Sequence, residues 1–280
     1  MNNSHPKITV ITVCFNAVNA LEKTIKSVLS QTYSNIEYVI IDGGSTDGTI
    51  DILKKYTNKI SFWCSEHDKG IYDAMNKGIS HSNGILLNFM NAGDTFVNDD
   101  VIEKIISSYN GEGFINGNII RCYKTYKKKS TGITVNPPST IDFLYDTFHH
   151  QASFISKKLF DKYGGYSTKF KLISDWKFAF DCIILHKETY THIDINVAYF
   201  QMDGISSNNS DKYIEERKEY LQSIYGKEIY GYMEELYFYR HTKLTNLIFK
   251  FKYYLKSNIS YKNIIKLKTI RDILLTLIKK

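Results

Sequence analysis

A chain of 280 residues with 43% hydrophobic and 23% charged side chains has room for one large domain or two small ones, and the composition of a soluble globular protein. It holds no run of about 18 uninterrupted apolar residues and no basic-then-apolar leader, so neither a transmembrane helix nor a signal peptide is expected. The net charge of +7 is unevenly placed: residues 240–280 carry eleven Lys or Arg against one acid, Asp272, while the rest is mildly acidic. That asymmetry points to an anionic surface partner for the tail. Cys14, Cys64, Cys122 and Cys182 are far apart and fit reduced cytosolic thiols better than a disulfide framework or a metal site.

The run Lys7–Cys14 (KITVITVC) is β-branched and reads as a first, central strand. Over 20–31, Leu21, Ile25, Val28 and Leu29 fall on one helical face. Glu37–Ile41 forms a second strand, and Thr49–Leu53 begins a second helix. A short strand over Ile60–Cys64, a helix over Ile71–Gly78 and a strand over Ile85–Met90 follow. Strand–helix alternation with short turns predicts a doubly wound, mostly parallel α/β sheet, with ligands at the carboxyl ends of its strands. From about 115 the pattern loosens through Lys127-Lys128-Lys129 and Pro137-Pro138 into a second lobe with its own helix near 175–185. Past about 210 the chain reads as helical. Leu244, Leu247, Ile248, Phe251 and Leu255 recur at helical spacing, as do Ile270, Ile273, Leu274, Leu277 and Ile278.

Four turns at strand ends carry polar chemistry. Thr12-Val13-Cys14-Phe15-Asn16 follows the first strand. Asp42-Gly43-Gly44-Ser45-Thr46-Asp47-Gly48 follows the second; its glycines admit a ligand close to the backbone, yet the same residues make a tight turn and a helix N-cap. The third is Glu66-His67-Asp68-Lys69-Gly70-Ile71-Tyr72-Asp73-Ala74-Met75-Asn76-Lys77-Gly78. There Asp73, Asn76 and Lys77 share one helical face, which serves a ligand or simply faces water. Lys69, beside the positive helix end, is placed to meet a diphosphate. The fourth is Asn91-Ala92-Gly93-Asp94 within FMNAGDTF, where Asp94 is either a metal ligand or part of an Asx turn.

Taken in order, the stretches ITVITVCFN, SVLSQTYSNIEYVIIDGGSTDGT, EHDKGIYDAMNKGI, FMNAGDTF, HHQASF, LFDKYGGY and the ISDW block resemble the inverting family-2 glycosyltransferases, in particular bacterial enzymes that build polysaccharide or O-antigen repeats. The resemblance covers about residues 7–206. It implies a GT-A fold, α/β with a Rossmann-like, mostly parallel central sheet flanked by helices, here with a C-terminal helical extension. It also implies a nucleotide-sugar-binding lobe over 1–115, an acceptor and catalytic-base lobe over 116–209, and a basic amphipathic tail over 210–280. Thr12, Cys14, Asn16, Asp42 and Gly43 would hold base and ribose. Lys69, Gly70, Asp73 and Asn76, with Asn91, Ala92 and Gly93, would line the diphosphate and donor sugar. Asp94 would be the carboxylate of a divalent metal site, Mn2+ or Mg2+. Many relatives carry further acids where this chain has Asn91 and Gly93, which leaves one strong oxygen ligand. Asp175 would be the general base, although Ser174 or Asp175 serves equally as a helix cap. His150, Gln151 and Trp176 would lie on the acceptor side, and Asp203 would approach the diphosphate.

The implied activity is transfer of a sugar from a UDP-linked donor to a hydroxyl of a lipid-linked glycan in cell-surface polysaccharide synthesis. A non-catalytic nucleotide-sugar- or glycan-binding relative is the competing reading, suggested by the thinned acidic motif. A nucleotidyltransferase would want a Gly-rich basic loop where Phe15-Asn16-Ala17-Val18-Asn19 stands. In the tail, Lys250, Lys252, Lys256, Lys262, Lys266 and Lys268 beside Tyr253, Tyr254 and Tyr261 suit an anionic membrane surface, or else a helical pair packed on the body. The expected location is the cytoplasm, peripheral on the inner face of the membrane, with no nucleic-acid partner.

Overall fold

The computed structural model describes residues 5–109, 111–202 and 210–241. Strand β1 (Ile8–Cys14) is buried along its whole length, because β2 (Ile36–Asp42) and β4 (Leu86–Phe89) both pair with it in parallel. A strand covered on both faces needs no polar alternation, which is why its sequence is almost continuously β-branched. Its two threonines are satisfied internally. Thr9 Oγ1 donates to Glu37 Oε2 at 2.6 Å, and Thr12 Oγ1 donates to the Met90 carbonyl at 2.7 Å. β3 (Phe62–Ser65) extends the parallel set on the far side of β2.

Helix α1 (Leu21–Leu29) lays Leu21, Ile25 and Val28 into the core, the apolar stripe expected from their spacing. α2 (Thr49–Tyr56) and α3 (Ile71–Ser80) complete the strand–helix alternation, with Leu53, Ala74 and Met75 buried. Each boundary lies within two or so residues of the expectation.

Past β4 the sheet becomes mixed. β5 (Thr95–Phe96), α4 (Val101–Ser107), β6 (Phe114–Cys122) and β7 (Lys127–Ser130) come first. α5 (Thr140–Tyr145), β8 (Ser153–Ser156), α6 (Lys157–Tyr163), α7 (Ser174–Phe180) and β9 (Tyr190–Gln201) follow. Among the described residues, nine strands form one sheet in the order β3-β2-β1-β4-β8-β6-β9-β5, with β7 on β6. β8 runs antiparallel to both β4 and β6, whereas β6 and β9 are parallel. The parallel expectation therefore describes the first half of the sheet. β8 is a four-residue strand with a serine at each end, too short to show a period, and it joins the two halves. The sheet runs without interruption across residue 115, which lies inside β6.

The buried Asn88 of β4 fastens this junction. Its Nδ2 donates to the carbonyls of Gln151 and Ser153, at 3.0 and 2.9 Å. α8 (Ser210–His241) begins where a helical tail is expected and leaves helical geometry at Gly226. Residues up to Ile224 form one compact unit and those from Tyr225 a second. The apolar repeats over 244–278, the tail lysines and Asp203 lie outside the described residues. Among the described residues, no helix is long and apolar enough to cross a membrane.

Candidate active site

Three segments remote in sequence meet at Asp175, and a fourth reaches it through His150. Asp175 sits in the first turn of α7, and its side chain is 13% exposed. Tyr72, in the first turn of α3, donates its hydroxyl to Asp175 Oδ1 at 2.8 Å. His150, in a single helical turn before β8, places Nδ1 3.0 Å from Asp175 Oδ2. On its other side His150 Nε2 lies 3.2 Å from Asn91 Nδ2. An amide N–H has only a proton to offer, so Nε2 accepts and Nδ1 carries the hydrogen that Asp175 receives. Burial pushes the Asp175 carboxyl up. The His150 hydrogen bond, the Tyr72 hydroxyl and the Trp176 backbone N–H outweigh it and hold Asp175 below the usual carboxylate range. Burial, reinforced by Asp175, pushes the Tyr72 phenol well above its ordinary value.

Asp94 stands three residues beyond Asn91 on a turn closed by its own N–H on the Asn91 carbonyl, 3.0 Å. Gly93 takes φ 104 there, a left-handed conformation that a side chain would strain. Thr24 of α1 braces the turn, accepting from Gly93 N at 2.9 Å and donating to the Asp94 carbonyl at 2.8 Å. Asp94 as a residue is 6% exposed. Gln151 Nε2 donates to its Oδ2 at 3.1 Å, and the Gln201 backbone N–H to its Oδ1 at 3.2 Å. Gln151, expected on the acceptor side, is thus an Asp94 partner. Ala92 and Gly93 are partly exposed beside it. Among the described residues, no group of three or more His, Cys, Asp or Glu is placed to hold a metal ion.

At the same carboxyl end of the parallel strands, where β2 ends, Asp42 organises its own loop. It accepts from Gly44 N at 3.1 Å, Ser45 N at 2.9 Å, Ser45 Oγ at 2.5 Å and Ser65 Oγ at 2.6 Å, and it is fully enclosed. Burial works to raise its pKa, and these hydrogen bonds hold it below the usual range. The expectation that Asp42 holds base or ribose meets a side chain with no exposed surface; Gly44, Thr46 and Asp47 of the loop it shapes are the accessible part. Gly43 passes so close to Asp68 that a Cβ would stand 2.5 Å from Asp68 Oδ2. Cys14, its thiol pushed up by burial and then by the Asp42 carboxylate, lies behind the same loop. Asn16 (φ 47) ties the two turns together, its N–H donating to Ser45 Oγ at 2.7 Å and its Oδ1 accepting from Thr46 N at 3.0 Å.

Three expected ligand contacts are placed differently. Thr12 is fully buried and spends its hydroxyl on Met90 and Tyr38 inside the sheet. Asn76 clasps the backbone of Tyr166, Nδ2 to its carbonyl at 2.8 Å and Oδ1 from its N–H at 2.7 Å. Trp176 is 1% exposed, stacked on Phe180 and covered by the Arg217 guanidinium 4.4 Å away. It shares the inner face of α7 with Phe180, four residues on, which turns it from any acceptor. At the start of α3, Lys69 N donates to Asp73 and Gly70 N to Asp68, at 3.0 and 2.9 Å. Two carboxylates thus occupy the helix end that a diphosphate would use, while the Lys69 side chain stays exposed. Tyr72 is the partner that sequence reading passed over. Its only signal is a phenol on the buried face of α3, within a motif already flagged for its charged residues.

The family model for glycosyl transferase family 2 matches residues 9–174, more than half of the chain. The chain belongs to this family. An uncharacterised glycosyltransferase of Mycobacterium tuberculosis is 36% identical over 182 residues, covering 62% of this chain and 68% of that protein. A PGL/p-HBAD biosynthesis glycosyltransferase of Mycobacterium bovis is 27% identical over 216 residues, covering 74% and 82%. Among solved structures, S. aureus TarS 1-349 in complex with UDP-GlcNAc aligns with TM-score 0.61 at 16% identity, over 72% of this chain and 61% of that one. A Pyrobaculum calidifontis mannosyltransferase in complex with GDP-Man and Mn2+ aligns with TM-score 0.60 at 16% identity, over 98% and 81%. The fold of this family-2 glycosyltransferase is the GT-A type that the motif order implied.

Proposed function

We propose that this family-2 glycosyltransferase transfers a sugar with inversion, from a UDP-linked donor to a hydroxyl of a lipid-linked glycan in cell-surface polysaccharide synthesis. Asp175 is its general base. The observation that carries this reading is the convergence on Asp175 of Tyr72, from a donor-side motif, and of His150, which the resemblance places on the acceptor side and which is itself held by Asn91 of a second donor-side motif.

Tyr72 holds one Asp175 oxygen and His150 the other, which fixes the carboxylate that receives the acceptor's proton. A carboxylate held below the usual range stays ionised at neutral pH but is a weak base. Proton removal from the acceptor is therefore concerted with its attack on the anomeric carbon. The new glycosidic bond forms on one face as the bond to the nucleoside diphosphate breaks on the other. Two donors fix the carboxylate, so little orientation is left to pay at the moment of attack. Asp94 accepts from the Gln151 amide and the Gln201 backbone N–H, which orient its carboxylate. With a single carboxylate, it fits a divalent cation only where the donor's phosphate oxygens complete the ligand set, a division that Mg2+ tolerates. When bound, such an ion offsets the charge collecting on the departing diphosphate.

The complexes of the similar proteins with UDP-GlcNAc and with GDP-Man and Mn2+ support a nucleotide-sugar donor and a divalent ion. The relative's role in PGL/p-HBAD biosynthesis supports a lipid-anchored acceptor. A peripheral place on the inner membrane face, through the basic residues 240–280, follows from the charge asymmetry. Truncation after about residue 240 lowers binding to anionic liposomes if so, and unchanged binding sinks the anchor. A thermal-shift screen of UDP- and GDP-sugars, with and without Mn2+, tests the activity. At least one donor should stabilise the chain and then release nucleoside diphosphate; binding without release points to a non-catalytic role.

A further inference from the structure

One cavity carries chemistry that the reaction centre does not use. It encloses about 420 Å³, a size typical of ligand sites, and Arg121, Lys129, Ser130, Thr131, Asp146 and Thr147 line it. Arg121 is the anomaly. Its Nε is buried, and among the described residues its guanidinium makes no hydrogen bond or ion pair. A permanently charged group that hides a donor without an acceptor is costly, and a bound acceptor removes that cost.

The chain on either side of the hairpin is basic, with Asp146 the one acid lining the cavity. From Arg121 to Ile141 the sequence holds no acid, while Lys124, Lys127, Lys128 and Lys129 crowd the β6–β7 hairpin. Lys129 is paired with Asp194 at 2.6 Å and Lys127 lies over the Tyr199 ring. Lysines on an edge strand guard it against pairing with other chains, which accounts for the β7 residues. It does not account for an Arg121 that lines a cavity with its Nε buried and unpaired among the described residues.

Two links tie the cavity to the reaction centre. Ser130 Oγ lies 3.0 Å from His149 Nε2, and the next residue, His150, holds Asp175. Arg121 is opposite Phe200 in the β6–β9 pair, and the next residue, Gln201, donates to Asp94. We infer that this cavity receives an oxyanion carried by the acceptor, a phosphate or a carboxylate, gripped by the Arg121 fork. Ser130 and Thr131 hydroxyls add donors, and Asp146 accepts sugar hydroxyls beside the anion. An acceptor held there lies one residue from the His150–Asp175 pair, which suits delivery of its hydroxyl to the base. The delivery step rests on the proposed reading of Asp175, whereas the anion site stands on Arg121 itself.

The test uses the 15N-labelled full chain with UDP and GDP present to fill the donor side. Inorganic phosphate and glucuronate are titrated separately while the Arg121 Nε–H resonance and the Ser130 and Thr131 amides are followed. A saturable shift with either anion is expected, and the more effective one identifies phosphate or carboxylate as the group on the acceptor. Arg121→Gln should raise the apparent Kd at least tenfold, and Arg121→Lys, which keeps the charge and loses the fork, by less. No saturable shift with either anion, or a Kd unchanged in both variants, overturns the inference. Asp175→Asn should leave these titrations as they are. Sugar transfer that survives Asp175→Asn would strike the base assignment and leave the anion site standing.

Discussion

Replacing Asn76 by alanine separates a structural clasp from a donor contact. In the structure both ends of its amide are spent on Tyr166, whose backbone N–H and carbonyl lie 2.7 and 2.8 Å away. Tyr166 is 3% exposed, so water cannot readily replace the lost partners. Each stranded buried group costs about 1–3 kcal/mol. Alanine returns roughly 0.5 kcal/mol as the better helix former within α3. The net loss is about 1.5–5.5 kcal/mol, which for a domain of this size lowers Tm by roughly 3–20 °C. Thermal or denaturant unfolding reads this directly, with nucleotide-sugar affinity measured in parallel by calorimetry. An unchanged Tm together with a tenfold weaker donor would refute the clasp and restore Asn76 to the donor side, where the motif order had it.

Other expectations follow from the same geometry. Tyr72→Phe removes one of the donors that hold Asp175 low, so the acid limb of kcat/KM against pH should move upward; a superimposable profile would count against the pair. Asp42 is held below the usual carboxylate range, so it contributes stability above its unfolded pKa and loses it as pH falls through the lower folded value. Asp42→Asn should lower Tm at neutral pH and flatten its fall on acidification, read from melts at a series of pH values. Asp94→Asn should weaken Mn2+-dependent donor binding far more than metal-free binding, and equal loss in both would show that Asp94 serves the turn alone.

The first half of the fold was legible because its signals are local. A strand buried on both faces must be apolar throughout, and a turn that re-aims the chain at Asp94 needs a glycine at φ 104. The motif order also marked Asp175, His150 and Asn91, yet no local pattern reveals that they touch, since the partners are 25 and 59 residues apart. The same distance hides the opposite error. Thr12 and Asn76 look like ligand contacts in a motif, but their partners are backbone groups 78 and 90 residues away. Trp176 looks like an acceptor platform until α8 brings Arg217 over its ring. Polar residues beside a site advertise hydrogen bonds, and only the packed chain says whether a ligand or the fold receives them.

The central claim is that Asp175 removes the acceptor's proton. Its most direct test is Asp175→Asn, with sugar transfer and nucleoside diphosphate affinity measured on the same preparation. Asn preserves the shape and can still accept from Tyr72, but it is no base; loss of general-base catalysis is worth about 10²- to 10⁴-fold. Transfer should fall by at least that factor with nucleotide affinity nearly intact. Transfer within a few-fold of the unmodified chain would contradict the account, and parallel loss of nucleotide binding would make Asp175 a structural residue instead.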